Sequence, residues 1–334
     1  MRREDLSKVY RIPLNDQYSR EKSIFSLECT LTHRIFRLLD IFTENDIVGI
    51  KLNDAIPDKD KKIPPEYYKM IATLLFNKNV SSVLCDTSHK YKDRIVNAAK
   101  YMHQIFKNGF SYLDTGIPFM MLDGANGKHE TVIRVDQNSE RNNLYFAGEI
   151  NNLSGLIVTS LPRPHSLAGF KGALFNLGFG MASRRGKIKF SSMNPPQINS
   201  SRCYFCRKCL HECPTNAIYV NDRHVEINPD LCFDCGKCVD IAQYGGISYS
   251  WNATPEYFQD TILKYSESIF NTYRGKLLFI NFIPDFSSSE STIFNEILVS
   301  KDPYAIDSET AKRIMTNGLL KLDKVKYKLE TINY

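Results

Sequence analysis

An α/β sheet domain interrupted by a small α+β insert is the fold class this sequence predicts, and three observations predict it. Short apolar runs of strand length alternate with longer amphipathic stretches, the pattern of a sheet with crossover helices. That pattern stops near residue 197 and resumes near residue 251. In the gap, seven of the chain's nine cysteines fall between Cys203 and Cys238. At 334 residues there is room for one main domain and a small second one. The expected division is α/β over 1–197, an insert over 198–250, and the α/β domain again over 251–334.

Residues 46–54, DIVGIKLND, read as a strand running into a loop. The segment 64–78 opens with prolines and repeats apolar residues at Tyr68, Ile71, Leu74 and Leu75. That spacing is helical, and a helix accepts proline in its first turn. VSSVLCD (80–86) is the next strand. Over 91–109, Ile95, Ala98, Ala99, Met102 and Ile105 recur at three and four and predict a second helix. PFMMLDG (118–124), TVIRV (131–135) and GLIVTS (155–160) are further strands. Residues 162–197 hold five glycines without periodicity and read as a long functional loop. Beyond the insert, 255–273 is helical, 276–285 a strand and 307–322 a closing helix capped by Asp307. Asp54, Asp86, Asp123 and Ser160 end strands, where open α/β sheets place their sites.

Composition narrows the class. Apolar residues make up 43% and charged residues 24%, ordinary for a globular chain. The opening MRREDLSKVYRIPLN has no apolar stretch behind its charges, so no secretory signal is expected. No apolar run is long enough to span a membrane. Clustered cysteines are not a disulfide scaffold and point to a reducing, cytoplasmic setting. Cys29 and Cys85 stand apart; Cys85 ends an apolar run and is expected to be buried. The formal charge of +6 counts every cysteine as neutral. Metal-bound thiolates would bring it close to zero, so charge does not argue for nucleic acid, and RRGKIKF is only a fragment of a basic, aromatic stripe.

The cysteine spacing carries the chemistry. Cys203-x2-Cys206-x2-Cys209-x3-Cys213-Pro214 is the ligand pattern of a bacterial ferredoxin half. Cys232-x2-Cys235-x2-Cys238 repeats it, with Ala242 where the fourth cysteine belongs. Zinc knuckles use cysteine pairs rather than triplets. A ferredoxin-like iron–sulfur insert is therefore expected. In two-cluster ferredoxins the fourth cysteine of each half serves the other half's cluster. Cys213 then joins Cys232, Cys235 and Cys238 on a complete [4Fe–4S] cluster. Cys203, Cys206 and Cys209 hold a deficient one, either [3Fe–4S] or a [4Fe–4S] whose last iron is open or takes another ligand. Asp240, Gln243 and Tyr244 lie close to that gap in sequence.

GFKGALFNLGFGMASRRGK (169–187) resembles the glycine-rich signature of the family known as domain of unknown function 362. DGANG (123–127) and SKDPYAID (300–307) resemble two further features of it, and the likeness runs from about residue 50 to about residue 305. The resemblance implies an α/β domain combined with a ferredoxin-like segment, and no particular reaction. Departures are Phe175 where lysine is usual, SLPRPH (160–165) in place of a histidine-rich motif, and PDFSSS (284–289) without the family's cysteine.

Gly169, Gly172, Gly178 and Gly180 allow close backbone approach. Beside them Arg163, Lys171, Arg184, Arg185 and Lys187 predict a seat for a carboxylate or phosphate, with Asn176 to orient it. His165 is the expected acid–base group, and Asp123 and Lys51 are the further catalytic candidates. Asn53, Asn126, Lys301, Asp302 and Asp307 are candidates to line the same cleft. The expected function is an iron–sulfur oxidoreductase. A ferredoxin or flavodoxin supplies single electrons to the complete cluster, and the deficient cluster faces a cleft for a small anionic substrate. Two other readings stay open: a non-catalytic electron-transfer module for a partner enzyme, and a lyase or hydratase using an open iron as Lewis acid.

Overall fold

The computed structural model describes residues 7–14, 35–53, 62–88, 90–91, 94–95, 98–135, 143–232, 235–284 and 294–316. Strand β1 (Tyr10–Pro13) is followed by β2 (Ile47–Lys51), helix α1 (Pro65–Phe76) and β3 (Ser81–Asp86). Next come α2 (Ala98–Ile105), β4 (Phe119–Met121), the pair β5 (Glu130–Ile133) and β6 (Leu144–Ala147), and β7 (Gly155–Ser160). A hairpin of β8 (Arg163–His165) and β9 (Gly169–Lys171) leads into α3 (Ala173–Met181) and α4 (Arg184–Ser191). The insert holds β10 (Gln197–Ile198), α5 (Lys208–Glu212), β11 (Ile218–Asn221), β12 (His224–Ile227), α6 (Lys237–Ile241) and β13 (Ile247–Ser248). Pairing of β10 with β13 closes it at its base. The chain ends its described course with α7 (Pro255–Thr272), β14 (Leu277–Pro284), β15 (Phe294–Ser300) and α8 (Pro303–Thr316).

Seven strands form one sheet in the order β1–β15–β14–β7–β2–β3–β4. The five from β14 to β4 are parallel, while β15 runs against both its neighbours. From β2 the chain adds β3 and β4 on one side, then crosses back and adds β7 and β14 on the other. This doubly wound order puts the switch point between β2 and β7. Alternation assigns the two faces: Ile50, Leu84, Ile157 and Ile280 share one core with α1 and α2. Leu156, Val158 and Phe279 share the other with α3, α7 and α8. Cys85 lies fully buried on that second face, where burial pushes its thiol up to about 12.

Four sequence expectations change. The helix expected over 91–109 starts at Ala98, because Arg94–Ile95 pairs with Lys90–Tyr91 instead. The strand expected at 131–135 forms as β5, but pairs with β6 outside the main sheet. The stretch 162–197 is a hairpin and two helices rather than a loop. Every residue of α3 except Phe179 is buried, so it has no polar face and no visible period. Its Gly178 lies so close to α7 that a Cβ would stand 2.8 Å from the Ile262 carbonyl oxygen. The closing helix starts at Pro303, and its cap is Asp302, which accepts from the Tyr304 and Ala305 amides at 2.8 and 3.1 Å. Cys29, Asp54, residues 285–289 and residues 317–322 lie outside the described residues.

Candidate metal centre and the adjoining polar site

The insert repeats one short backbone motif. Arg207 and Gly236 both take the left-handed conformation, with φ of 60° and 75°, and each turns the chain into a one-turn helix bearing the third cysteine of its half. Cys213 and Ala242 end those helices in matching extended conformations. The missing cysteine is thus a side-chain substitution in an otherwise preserved frame. Cys203, Cys206, Cys209 and Ala242 line one cavity of about 90 Å³. Cys213, Cys232, Cys235 and Cys238 line a second. Cys213 has crossed to the other half's group.

The thiols' surroundings suit a cationic core. Burial, then the neighbouring Cys232, Cys235 and Cys213, push Cys238 up to about 12. Burial, then Cys203 and Cys206, raise Cys209. Burial also works against the Cys213 thiolate, but hydrogen bonds from Thr215, Ala217 and Ile218 outweigh it and lower its pKa. Mutually repelling thiolates gathered around amide donors are the environment of an iron–sulfur cluster.

The two cages stand the other way round from the sequence expectation. The four-cysteine cage meets the α/β domain. Gly236 packs there against Tyr249 and Ile188, and Tyr249 feels Arg184, Asp240, Cys238 and Cys235. Arg184 of α4 pairs with Asp240 of α6 across the joint. Ser192 and Ser250 hydroxyls, 2.7 Å apart, close it below. The three-cysteine cage is lined only by residues of the insert and opens outward past Cys206, Tyr204 and Tyr244. Asp240 is committed to Arg184 and not to the gap at Ala242, whereas Tyr244 lines that cage.

Gly236 gives a sharp test of this joint. A Cβ there would lie 1.8 Å from the Tyr249 hydroxyl, on a residue with positive φ. Gly236→Ala is expected to lose about 2–4 kcal/mol of stability and to loosen the insert. Thermal unfolding read by cluster absorbance and by far-UV dichroism checks it, the absorbance transition moving first.

Beyond Arg184, the strand ends carry a closed polar site. Lys51 ends β2 and donates to Asp86 of β3 at 2.6 Å and to the Leu52 carbonyl at 2.8 Å. Tyr101 of α2 donates to the other Asp86 oxygen. Gly180 of α3 makes room, since a Cβ there would stand 3.3 Å from Lys51 Cε. Lys187 of α4 donates to the Thr87 hydroxyl at 2.6 Å and to the Ser88 carbonyl at 2.7 Å. Asp123, after β4, accepts from the Ser88 amide at 2.9 Å and from its hydroxyl at 3.1 Å. Burial raises the Asp123 carboxyl above the usual range, opposed by Lys187. Gly127 of DGANG, at φ 72°, lies between Ser88 and Arg184 where a Cβ would crowd both.

The family model described as Domain of unknown function (DUF362) matches residues 48–312. The chain belongs to this family. It is 39% identical over 54 residues to a ferredoxin of Streptomyces griseus, covering 16% of this chain and 50% of that one. It is 32% identical over 75 residues to hydrogenase-4 component A of Escherichia coli (strain K12), covering 22% and 35%. The chain thus spans half or less of the length of these curated relatives, and region 203–238 is the part that matches the ferredoxins. Among solved structures, the lactate racemase apoprotein of Thermoanaerobacterium thermosaccharolyticum aligns with a TM-score of 0.46 at 13% identity, over 86% of this chain and 55% of that one. A Thermotoga maritima protein aligns with a TM-score of 0.47 at 10% identity, over 88% and 59%.

In this DUF362 chain the expected site residues divide. Lys51, Asp123 and Lys187 come together at the strand ends, with Arg184 between them and the insert. Asn176 joins Asn53 and Ser160 at the β2/β7 switch point, donating at 2.9 and 2.8 Å. His165 is elsewhere. Its Nδ1 accepts from the Leu167 and Ala168 amides at 3.3 and 3.0 Å, and its ring packs on Phe175 and Phe258, so it anchors the β8–β9 turn. Arg163 and Lys171 face each other in that hairpin, with Lys171 over the Phe175 ring. Arg185 turns away to Glu130 and Tyr145. Asp302 and Asp307 serve helix termini. Thr87, Ser88 and Tyr101 belong to the polar site but carry no sequence motif; their only signal is adjacency to the strand-ending Asp86 or a helical phase. No helix among the described residues is long and apolar enough to cross a membrane.

Proposed function

We propose that this chain is an iron–sulfur oxidoreductase whose ferredoxin-like segment exchanges single electrons between a soluble carrier and the polar site of the α/β domain. The observation that supports this reading is the ordering of the two cysteine cages. One opens to solvent, and the other lies against α4, whose Lys187 reaches the polar site. Cys213, Cys232, Cys235 and Cys238 would hold one cluster and Cys203, Cys206 and Cys209 the other. When bound, these groups supply one-electron storage at a potential set by burial and amide donors. Arg184 sets a fixed positive charge beside the inner cage. Lys51 and Lys187 offer cationic N–H donors to a small anion, which would displace their internal acceptors. Asp123, with its raised carboxyl, is the group suited to hold a proton near a reacting atom.

A second reading, an electron-transfer module for a partner enzyme, draws on the closure of that polar site. Its lysines and carboxylates are buried and engaged internally: Lys51 with Asp86, Lys187 with Thr87 and Ser88, and Asp123 with Ser88. One experiment separates the two. Anaerobically purified protein is reduced stepwise and followed by EPR, with iron and sulfide counted, in the presence and absence of small carboxylates and phosphate. The oxidoreductase reading expects two reducible centres, with Arg184→Ala displacing the potential of only one and an added anion perturbing that same one. Reducible centres blind to every anion would move the assignment to the module. Protein without reducible iron would end both.

A further inference from the structure

The outer cage has a rim that the proposed reaction does not use. Arg202, Arg207 and Lys208 line its cavity and are exposed, and none of the described lining residues is acidic. Tyr204 and Tyr244 are 75% and 74% exposed and meet edge to face, 5.4 Å apart, at the same mouth. Large exposed aromatics flanked by arginine are the composition of a recognition surface.

Backbone strain gathers here too. Among the described residues, positive φ in residues other than Gly, Asn and Asp occurs at Phe205, Arg207, Tyr244 and Trp251, and the first three line or flank this cavity. Side chains other than Asn and Asp enter this conformation only at a cost. The insert's own pseudo-symmetry shows what the frame prefers. The position equivalent to Arg207 in the other half is Gly236, where Tyr249 leaves no space for a side chain. At the exposed half the strained position carries an arginine, its guanidinium held over the Phe205 ring at 4.7 Å. A strained residue whose side chain points to the solvent is a sign of function rather than of packing.

We propose that this rim is the docking surface for an acidic one-electron carrier protein, with Arg202, Arg207 and Lys208 facing its carboxylates and Tyr204 and Tyr244 packing at the centre. This rests on the electron-transfer reading above and adds where the carrier binds. Charge complementarity selects the occupant, and the exposed Cys206 selects its purpose, because that thiol brings the cage edge to the contact. The transfer is simple: the reduced carrier loses one electron, the iron held by the insert gains one, and no bond or proton changes hands.

The test uses the iron-loaded protein under anaerobic conditions, with an acidic plant-type ferredoxin as probe, basic cytochrome c as its charge-reversed control, and a single-stranded oligonucleotide as a polyanion control. Ferredoxin binding is expected to weaken steeply between about 50 and about 300 mM salt. Lys208→Glu is expected to weaken it about tenfold, and Arg223→Glu, on the β11–β12 turn, to leave it unchanged. Arg207→Gly is the decisive variant. It is expected to weaken binding about fivefold while the melting temperature holds or rises, because glycine relieves the left-handed backbone. A lower melting temperature with unchanged affinity would make Arg207 structural and overturn the proposal. Salt-independent binding, equal binding of cytochrome c, or preference for the oligonucleotide would overturn it as well. Dithionite keeps the two readings apart. Iron reducible by dithionite but no ferredoxin binding ends the docking proposal alone, whereas iron that dithionite cannot reduce ends the electron-transfer reading.

Discussion

Lys51→Met is expected to cost the α/β domain about 3–5 kcal/mol at neutral pH, the loss typical of breaking a buried ion pair from one side. Lys51 and Asp86 are 3% and 1% exposed. Methionine fills the space beside Gly180 but removes the cation, leaving the Asp86 carboxylate with neutral donors such as the Thr87 amide, at 2.8 Å, and the Tyr101 hydroxyl. A carboxylate so placed takes up a proton instead of staying charged. The deficit should therefore shrink as the pH falls, since the variant's Asp86 pKa moves above its unfolded value and folding then favours the protonated form. Pairing the change with Asp86→Asn should recover a large part of the loss, with a coupling of about 1–3 kcal/mol. Urea unfolding of the four proteins at several pH values measures both quantities. Additive losses, or a Lys51→Met deficit below about 1 kcal/mol, would mean that the pair is not the closed interaction described here.

The sequence announced the parts whose physics is local. Cys203 to Cys238 declare themselves by spacing alone, because a helical turn and a fixed loop decide which thiols meet. The parallel strands were legible for a related reason: GLIVTS is buried at every residue and reads as a largely apolar run. Helix α3 escaped notice for the opposite reason. Packed on nearly every side, it shows no amphipathic period, and its glycines, which admit α7 and Lys51, imitate a loop. The direction in which the insert faces was also hidden. It depends on Arg184 meeting Asp240, 56 residues later, and on Tyr249 fitting over Gly236. His165 shows what spacing does not carry. Histidine chemistry fits both a catalyst and a turn acceptor, and its bonds from the Leu167 and Ala168 amides are visible only in the fold.

Asp307 carries the second large effect, because it caps a helix other than its own. From within α8 its carboxylate accepts from the Ala173 and Leu174 amides at 2.7 and 2.9 Å, at the start of α3, and from Asn281 at 3.1 Å. Gly172 is needed beside it, since a Cβ there would lie 2.3 Å from Asp307 Oδ1. Asp307→Ala leaves two buried amides without an acceptor and is expected to cost about 2–4 kcal/mol. The loss reaches the polar site as well, because α3 carries Asn176 and Gly180. Burial raises Asp307 to about 6 in spite of those donors, from an ordinary 3.8. Raised in the folded state, the group binds a proton more tightly there than in the unfolded chain. Its contribution is then fully present below about pH 4 and is lost as the pH rises through 6, by roughly 3 kcal/mol. Asp307→Asn removes the titration and should flatten that slope while giving up one amide bond, as the side-chain NH2 cannot accept from Leu174. Comparing urea midpoints of wild type and Asn variant from about pH 4.5 to about pH 7 isolates this group from the acid sensitivity of the cysteine cages, which both proteins share. A difference that stays flat across this range would show that the amide donors, and not burial, govern this carboxylate, because a lowered pKa titrates only below it.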